Sequence, residues 1–453
     1  MNDKISHFEG ASVPKLIARF AVPTILSQLV TLIYNLADTY FVGQTNDPAQ
    51  VAALTLSFPI FMTMNIVANL FGIGANSYIS RNLGMKKQKR ASLASTFAFY
   101  SAIAGVLVIM SVLAVFMDPI LYGIGARTTA SAAATEAYLR WTVIIGGVPT
   151  VAAFMLGHLL RSEGATKKAS AGMIFGGLTN IALDFIFVSI LNMGAAGAGI
   201  ATFLANVASL VYLLVAVLKN KNSIIELNIK KMVFIAPMMK QIVIIGLPAA
   251  SVIVLGSTAN IILTNQMAAY GDVSIAAFGI VQKFGTIAIQ ITIGLTQGIM
   301  PLLGYHYGAR NLDKVKEINH WAFGLLGVYA VSCVVIIELF TRPLVMVFIT
   351  EPETVAIAVA FARVWILCAP GMCFTNLLGS IFQAMGKAME SLALTLIRQG
   401  AIMIPMLLIL NRIFGEMGLV CSQPAADNIT LIIGICLYIK VIRKENKKIK
   451  SSV

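Results

Sequence analysis

The sequence predicts an all-α polytopic membrane protein, with twelve transmembrane helices in two pseudo-symmetric six-helix bundles. Three observations carry this expectation. Of 453 residues, 58% are hydrophobic and only 11% charged, with a mean hydropathy of +0.85, a balance outside the range of soluble globular chains. Apolar segments long enough to cross a bilayer recur twelve times. Short patterns in the first half also return at a near-constant offset in the second.

Taken in order, the expected spans are 15–42, 51–80, 92–116, 134–158, 168–191 and 196–218 in the first half. They are 240–269, 274–304, 318–339, 355–380, 391–411 and 417–440 in the second. Span one carries Pro23 and ends at Gly43; span seven carries Pro248 at the corresponding place. A proline inside a helix removes one backbone hydrogen bond, so both spans are expected to kink. Between spans six and seven lies a polar, basic stretch. The chain is therefore divided into an N-terminal lobe (1–222), a linker (223–239) and a C-terminal lobe (240–453).

The loops orient these spans. Basic residues cluster in alternate connections: Arg81 to Arg90, then Arg161, Lys167 and Lys168, then Lys219, Lys221, Lys230, Lys231 and Lys240, then Arg310 to Lys316, Lys387, and the tail from Lys440. With Lys4, Lys15 and Arg19 that side holds 26 basic residues, against five on the other: Arg127, Arg140, Arg342, Arg363 and Arg412. Both termini are therefore expected in the cytoplasm. This division accounts for the formal charge of +14 without a nucleic-acid partner. His158 and His306 are expected at interfacial helix ends. Met1 to Pro14 lack a charged-then-apolar pattern, so no signal peptide is expected.

The repeat is explicit. Pro23 and Pro248 are 225 positions apart, Val51-Ala52-Ala53-Leu54 and Ile275-Ala276-Ala277-Phe278 are 224 apart, and Gly84 and Gly308 are 224 apart. Arg161-Ser162-Glu163-Gly164 aligns with Gln383-Ala384-Met385-Gly386 at 222. An even number of spans per half makes the repeats parallel, related by an axis along the membrane normal. Such paired bundles suit a rocking transporter with its solute path between them. No GxxxxGK[ST], HExxH or acidic run appears, so the chain does not read as an ATPase, protease, prenyl transferase or other enzyme. Five cysteines without a CxxC indicate neither a disulfide framework nor a zinc site.

Of 19 acidic residues only Asp38, Asp184 and Asp427 lie deep in spans. Asp38 is five residues before Gly43, or ~7 Å in at ~1.5 Å per residue. Asp184 lies a comparable depth from the same face, and Asn180 is one turn deeper on the same side of span five. Thr202 on span six lies at a matching level. Two carboxylates, an amide and a hydroxyl from one lobe suit Na⁺, and equally a shared proton; a carboxylate locked to a neighbouring helix for packing is the structural alternative. No other metal and no cofactor is expected. At the repeat offsets Asp38, Asn180, Asp184 and Thr202 fall on Leu263, Ile402, Met406 and Gln423. The scaffold is duplicated and the acids are not, so ion coupling is expected in the first lobe alone. Asp427 shares mid-membrane depth with Arg398 and Lys283. It reads either as one half of a structural ion pair or as a substrate or proton-relay acid, because an isolated intramembrane charge is costly.

Several stretches together resemble the multidrug and toxic compound extrusion (MATE) family. They are Asp38-Thr39-Tyr40-Phe41-Val42-Gly43, Ile79 to Gly84, Leu160 to Gly164, Gln297-Gly298-Ile299-Met300-Pro301 and Tyr305-His306-Tyr307-Gly308-Ala309, the last with His where the family has Asn. The resemblance covers nearly the whole chain and is nearest a DinF-like branch, MepA-type subgroup. It implies a plasma-membrane antiporter, acting as a monomer, that exports small organic, often cationic, compounds against Na⁺ or H⁺. In that branch the cation site maps onto Asp38, Asn180, Asp184 and Thr202. Phe185 departs from the proline common in relatives, which bears on the bend of span five. Two other readings fit the scaffold less well: a lipid-linked precursor flippase of the same superfamily, with extra spans and a cationic cavity, and a non-transporting membrane scaffold.

The topology has a direct check. A cysteine introduced at Ser452 should resist an impermeant thiol reagent added outside intact cells and react once the membrane is opened. Labelling from outside would reverse the assignment.

Overall fold

The computed structural model describes residues 8–450 except 46, 127 and 221, with side chains to 447. Lys4, Arg127, Lys221 and Ser452 of the preceding section lie outside the described residues. The first lobe contains α1 (Val13–Gly43), α2 (Pro48–Gly84), α3 (Gln88–Val115), α4 (Thr129–Ser162), α5 (Thr166–Ile190) and α6 (Gly194–Leu218). The second contains α7 (Ala236–Met267), α8 (Asp272–Gly308), α9 (Leu312–Met346), α10 (Pro352–Ala384), α11 (388–414) and α12 (416–450). A short helix, Met117–Gly123, follows α3.

The last two helices run together as one helical stretch, Ala388–Lys447, but Gly415 breaks it at φ 61° and ψ −139°. A methyl group on Gly418 would lie 1.9 Å from the Leu410 carbonyl oxygen, so the chain reverses within a few residues. Only glycine reaches that backbone conformation without strain. Gln266 of α7 and Tyr270 just beyond it fasten the turn through Asn411, and Ser274 of α8 through Glu416. Together with the bent α4, whose two parts meet at 53°, these helices give the twelve crossings.

Pro23 and Pro248 do not interrupt their helices: α1 and α7 each run unbroken through them. The break expected of a proline occurs in α9, where Phe340 leaves helical geometry (φ −115°) three residues before Pro343. Three other irregularities are π-helical: Arg140–Ile145 in α4, Phe185–Ile190 in α5 and Leu396–Met403 in α11.

The lobes are held together at the end that carries the basic loops, called here the basic end. Contact there is backbone to backbone. A methyl on Gly246 would lie 1.7 Å from the Leu70 carbonyl oxygen, and one on Gly74 would lie 2.0 Å from that of Ile242. Gly294 and Gly298 of α8 abut Ile25 and Ala21 of α1. Gly84 meets Tyr305 and Gly308 meets Arg81; methyls on the two glycines would lie 2.0 and 2.1 Å from those carbonyl oxygens. These last two contacts are the same contact seen twice, because each glycine and each partner is displaced by 224 positions, as an approximate two-fold axis requires. Ser77 adds a hydrogen bond to the Gln383 carbonyl (2.5 Å).

The cores follow the seam rather than the sequence division. Val13, Leu16, Ile17 and Phe20 of α1 share a core with α8, α9 and α10, whereas Met238 and Ile242 of α7 belong to the core of the first lobe. Phe8 stacks on Tyr305 (4.5 Å) and its carbonyl faces the His306 Nε2 at 3.1 Å. His158 and His306 are both buried, His158 against Gly72 of α2 and His306 against the Phe8 carbonyl. The linker is also packed down. Glu226 N–H donates to Ser95, Thr96 and Tyr100 donate to the Glu226 and Leu227 carbonyls, and Glu163 accepts from Ser223 and Ile224.

If the glycine seam sets the closed state, Gly84→Leu should open the basic end. Overpacking costs ~1–3 kcal/mol, so a thiol at Ser80, fully buried in the seam, should react roughly tenfold faster in that background. Unchanged labelling of Ser80→Cys would show that the seam absorbs a side chain.

Candidate functional site

Small residues bring the sequence-predicted acids together. Gly177 of α5 sits against Val30 and Tyr34 of α1, where a methyl would approach to 2.6 Å. Its neighbour Gly176 sits against Ala205 and Ser209 of α6, and Gly199 of α6 lies on the backbone of Tyr138 in α4. Small residues are how membrane helices approach closely enough to pack. One and two turns beyond Gly177 come Asn180 and Asp184, which meet Asp38, one turn beyond Tyr34.

All four expected residues are buried: Asp38, Asn180, Asp184 and Thr202. The Asp38 carboxylate faces both Asp184 and Asn180. Thr202 adjoins the Tyr138 phenol, which in turn feels both carboxylates. These groups are in range of one another, yet the alignment is not that of formed hydrogen bonds. Asp38 Oδ1, both oxygens of Asp184, both amide atoms of Asn180 and Thr202 Oγ1 have no hydrogen-bond partner. Buried polar atoms are normally paired, so these atoms are exceptions. Asp184 is the last residue of regular helix before the π-helical turn at Phe185. At Phe185 the helix widens; such turns are frequent at functional positions.

Sequence reasoning missed two members. Tyr34 is close to Asp38 and lies four residues before it, a spacing that places both on one face. Tyr138 carried no local signal: it reaches the site because α4 packs on α6 at Gly199.

Next to the cluster, between the lobes, is a cavity of about 600 Å³, within the range that holds a drug-sized molecule. Asp38, Tyr34 and Tyr138 belong to both cluster and cavity wall. Thr31, Asn35, Asn65 and Asn69 supply polar groups, Phe58, Phe61 and Met62 an apolar flank, and Lys283, Gln290 and Gln297 the second-lobe wall. Gln28 and Gln297 meet across the lobes at 3.3 Å. The cavity runs from Gln297 and Arg161, beside the seam, to Thr39, Leu54 and Phe348 at the other end.

Asp427 stands apart from both. It is fully buried and accepts from Arg398 Nε at 2.5 Å and from Gln423 Nε2 at 2.8 Å. Of its two candidate partners, Arg398 is paired and Lys283 is not: Lys283 faces the cavity and makes no ion pair among the described residues. At the repeat offset of 221 or 222, Asp427 and Arg398 correspond to Asn206 and Gly176, so this pair has no counterpart in the first lobe. Gln423, the equivalent of Thr202, serves the pair.

The MatE family profile matches residues 23–186 and again 248–409, one match per lobe at a displacement of 225. The multidrug export protein MepA of Staphylococcus aureus (strain MSSA476) is 30% identical over 432 residues, 94% of each chain. MepA of Staphylococcus haemolyticus (strain JCSC1435) is 27% identical over 433 residues, again 94% of each. Among solved structures, the outward-facing conformation of a multidrug resistance MATE family transporter of the MOP superfamily superposes with a TM-score of 0.92. It is 22% identical, and the match covers 99% of both chains.

Breaking a buried ion pair leaves one charge stranded. Arg398→Met should therefore cost roughly 3–5 kcal/mol, read as a lower unfolding midpoint in detergent. Arg398→Met combined with Asp427→Leu should recover most of that loss. A single variant as stable as the parent would mean that the pair carries no structural weight.

Proposed function

Because the chain belongs to the MatE family, we propose that it is a secondary active multidrug efflux transporter, exporting small organic compounds in exchange for Na⁺ or H⁺. The observation that carries the coupling part of this reading is the buried first-lobe cluster, whose oxygens lack hydrogen-bond partners. An unpaired polar atom in an apolar interior is expensive, and a carboxylate at that depth more so. A monovalent cation held by Asp38, Asn180, Asp184 and Thr202 would relieve that cost. A proton shared between Asp38 and Asp184 would do the same by removing one charge.

The cavity supplies the substrate side. Its volume suits a drug-sized organic molecule, its Phe and Met flank accepts flat apolar bodies, and thioethers adapt to different shapes. Asp38 joins the two functions because it borders the cavity and faces Asp184. An ion that changes the position or charge of Asp38 therefore changes what the substrate meets. With the seam closed, the cavity is reached from the end opposite the basic loops. Release of the seam and closure of the other end would turn it to the basic side. An ion drives that exchange only by binding one state better than the other.

In this reading the basic end is cytoplasmic, the protein works as a monomer in the cell membrane, and the positive charge reflects topology. The relatives, matched over 94% of their length, are named as export proteins, which favours export over the flippase and scaffold alternatives.

Asp184→Asn keeps the side-chain volume and removes the charge. In proteoliposomes with an imposed Na⁺ or H⁺ gradient, it should reduce export to the level of protein-free vesicles while expression and helical content persist. Asp38→Asn should impair coupling as well. Leu263 and Met406, the second-lobe equivalents, should tolerate conservative apolar changes. Normal gradient-driven export by Asp184→Asn would remove the cluster from the mechanism.

A further inference from the structure

Lys283 stands on α8 with its side chain exposed to the central cavity, and it makes no ion pair among the described residues. An ionisable side chain at membrane depth ordinarily has a partner or a task. Asp38 is the only carboxylate on the wall of this cavity; Asp427 is buried elsewhere against Arg398. The register of α1 against α8 relates the two charges. These helices run antiparallel, with Gly298 on Ala21 and Gly294 on Ile25. Carried toward the far end, opposite the basic loops, that pairing sets Lys283 opposite Leu36, two residues from Asp38. Lys283 is 11 residues beyond Gly294 and Asp38 is 13 beyond Ile25, ~16 and ~20 Å along their helices at ~1.5 Å per residue. Phe348, packed on Phe284 beside Lys283 at 5.9 Å, lines the same end of the cavity. The two helices are thus arms that part from one contact and carry opposite charges at nearly one level, on facing walls.

The other titratable groups of the wall do not serve the acids as a counter-charge. His158 and Arg161 lie toward the basic end of α4. The Arg161 guanidinium folds back along α4 only as far as Gly157, where a methyl would meet its Nη1 at 3.5 Å and the Met173 Sδ at 3.9 Å. Met173 is 11 residues short of Asp184 on α5, or ~16 Å. Tyr34 and Tyr138, beside the acids, are neutral phenols. The repeat requires neither Asp38 nor Lys283: at offsets of 225 and 224 they fall on Leu263 and Pro59. One lobe alone carries the acid and the other alone the base.

Asp38 and Asp184 together hold two negative charges when both are ionised, and one Na⁺ or one proton leaves one of them. While the far end is open, water in the cavity screens that remainder. Closing the far end expels the water, and an uncompensated charge is then costly. We propose that Lys283 is the fixed counter-charge of the first-lobe cluster. When the far end closes it pairs with Asp38, so that one coupling ion and one built-in cation neutralise the two carboxylates. Closing with no ion strands a negative charge, and closing with two strands a positive one. The far end therefore closes on one monovalent ion, and the ion-free carrier stays open. This assignment rests on the coupled-export reading and specifies how many ions its closing step takes.

Closing is read by double electron–electron resonance between spin labels at Leu191→Cys and Val347→Cys, both exposed at the far end, one on each lobe. The full chain, its five native cysteines replaced by alanine, is held in phosphatidylcholine nanodiscs. Na⁺ is titrated against choline at constant ionic strength, and in a second series the pH is lowered without Na⁺. In the parent, the short-distance population should grow with whichever ion couples, at a Hill slope near one. Lys283→Gln should move the midpoint roughly tenfold or more toward higher ion concentration. It should also steepen the slope toward two, because a second ion must replace the lost charge. Lys283→Met carries the same test if Lys283→Gln fails to fold, and Lys283→Arg should follow the parent. Asp38→Asn combined with Lys283→Gln removes one charge of each sign and should return the slope to one, a rescue that a merely packing lysine would not show. Lys283→Gln with the parent's midpoint and slope overturns the assignment, as does a double variant as steep as Lys283→Gln. A parent whose far end responds to neither ion counts against the coupled-export reading itself, and this assignment falls with it.

Discussion

Backbone contact at glycines across the approximate two-fold axis is the constraint on which the architecture depends. In a membrane the lipid is as apolar as the helices, so burying hydrocarbon does not by itself hold two bundles together. Close packing must do it, and close packing demands that side chains be absent where backbones touch. Gly74, Gly84, Gly246, Gly294, Gly298 and Gly308 meet that demand, all at the basic end. Their restriction to one end lets a cavity persist toward the other. The seam also explains why each lobe borrows from its neighbour: the start of α1 lies in the second core and the start of α7 in the first.

The same duplication that builds the seam is broken at the sites. In the first lobe, Gly176 and Gly177 let α5 lie flush against α1 and α6, and the polar groups that converge are left without hydrogen bonds. In the second lobe the position of Gly176 is taken by Arg398, and that of Asn206 by Asp427. A satisfied ion pair fills the space, with Gln423 completing it. Satisfied buried networks rigidify, and unpaired buried polar groups are costly. Two copies of one scaffold thus differ: one interior is filled by an ion pair, and the other gathers polar groups without hydrogen bonds. In each, the charged residue stands at or within a π-helical turn, Asp184 just before one and Arg398 inside another.

Much of this was legible in the sequence for physical reasons. Hydropathy marked every crossing because the bilayer sets a minimum apolar length, and the offset of about 224 marked the pairing of Gly84 with Gly308 before their contacts were known. The depth of Asp38, Asn180, Asp184 and Thr202 followed from residue counts along rigid helices. What the sequence could not carry was rotation about the helix axis and contact across it. Tyr138 joins the acids only because α4 and α6 meet at Gly199. His158 and His306 look interfacial by position, but a glycine opposite one and a carbonyl opposite the other draw them inside. Arg161 reads as a loop charge until its side chain is seen folding back along α4. At Pro23 and Pro248 the helix continues through the missing hydrogen bond, and at Pro23 it does so with α8 packed alongside at Gly294 and Gly298.

The packed linker has a mechanical meaning. Its first half is fastened to the ends of α3 and α4 by Ser95, Thr96, Tyr100 and Glu163, so it travels with the first lobe. The strap from Leu227 to Ala236, where α7 begins, rests on the first lobe through Met232 and Phe234, and if pulled free it reaches at most about 30 Å. On that edge the lobes can part no farther than the strap allows. Any motion that unseals the basic end is then geared like a book opening about its spine, narrow at the strap and wide across from it. The width of the mouth at the basic end is then bounded by chain length.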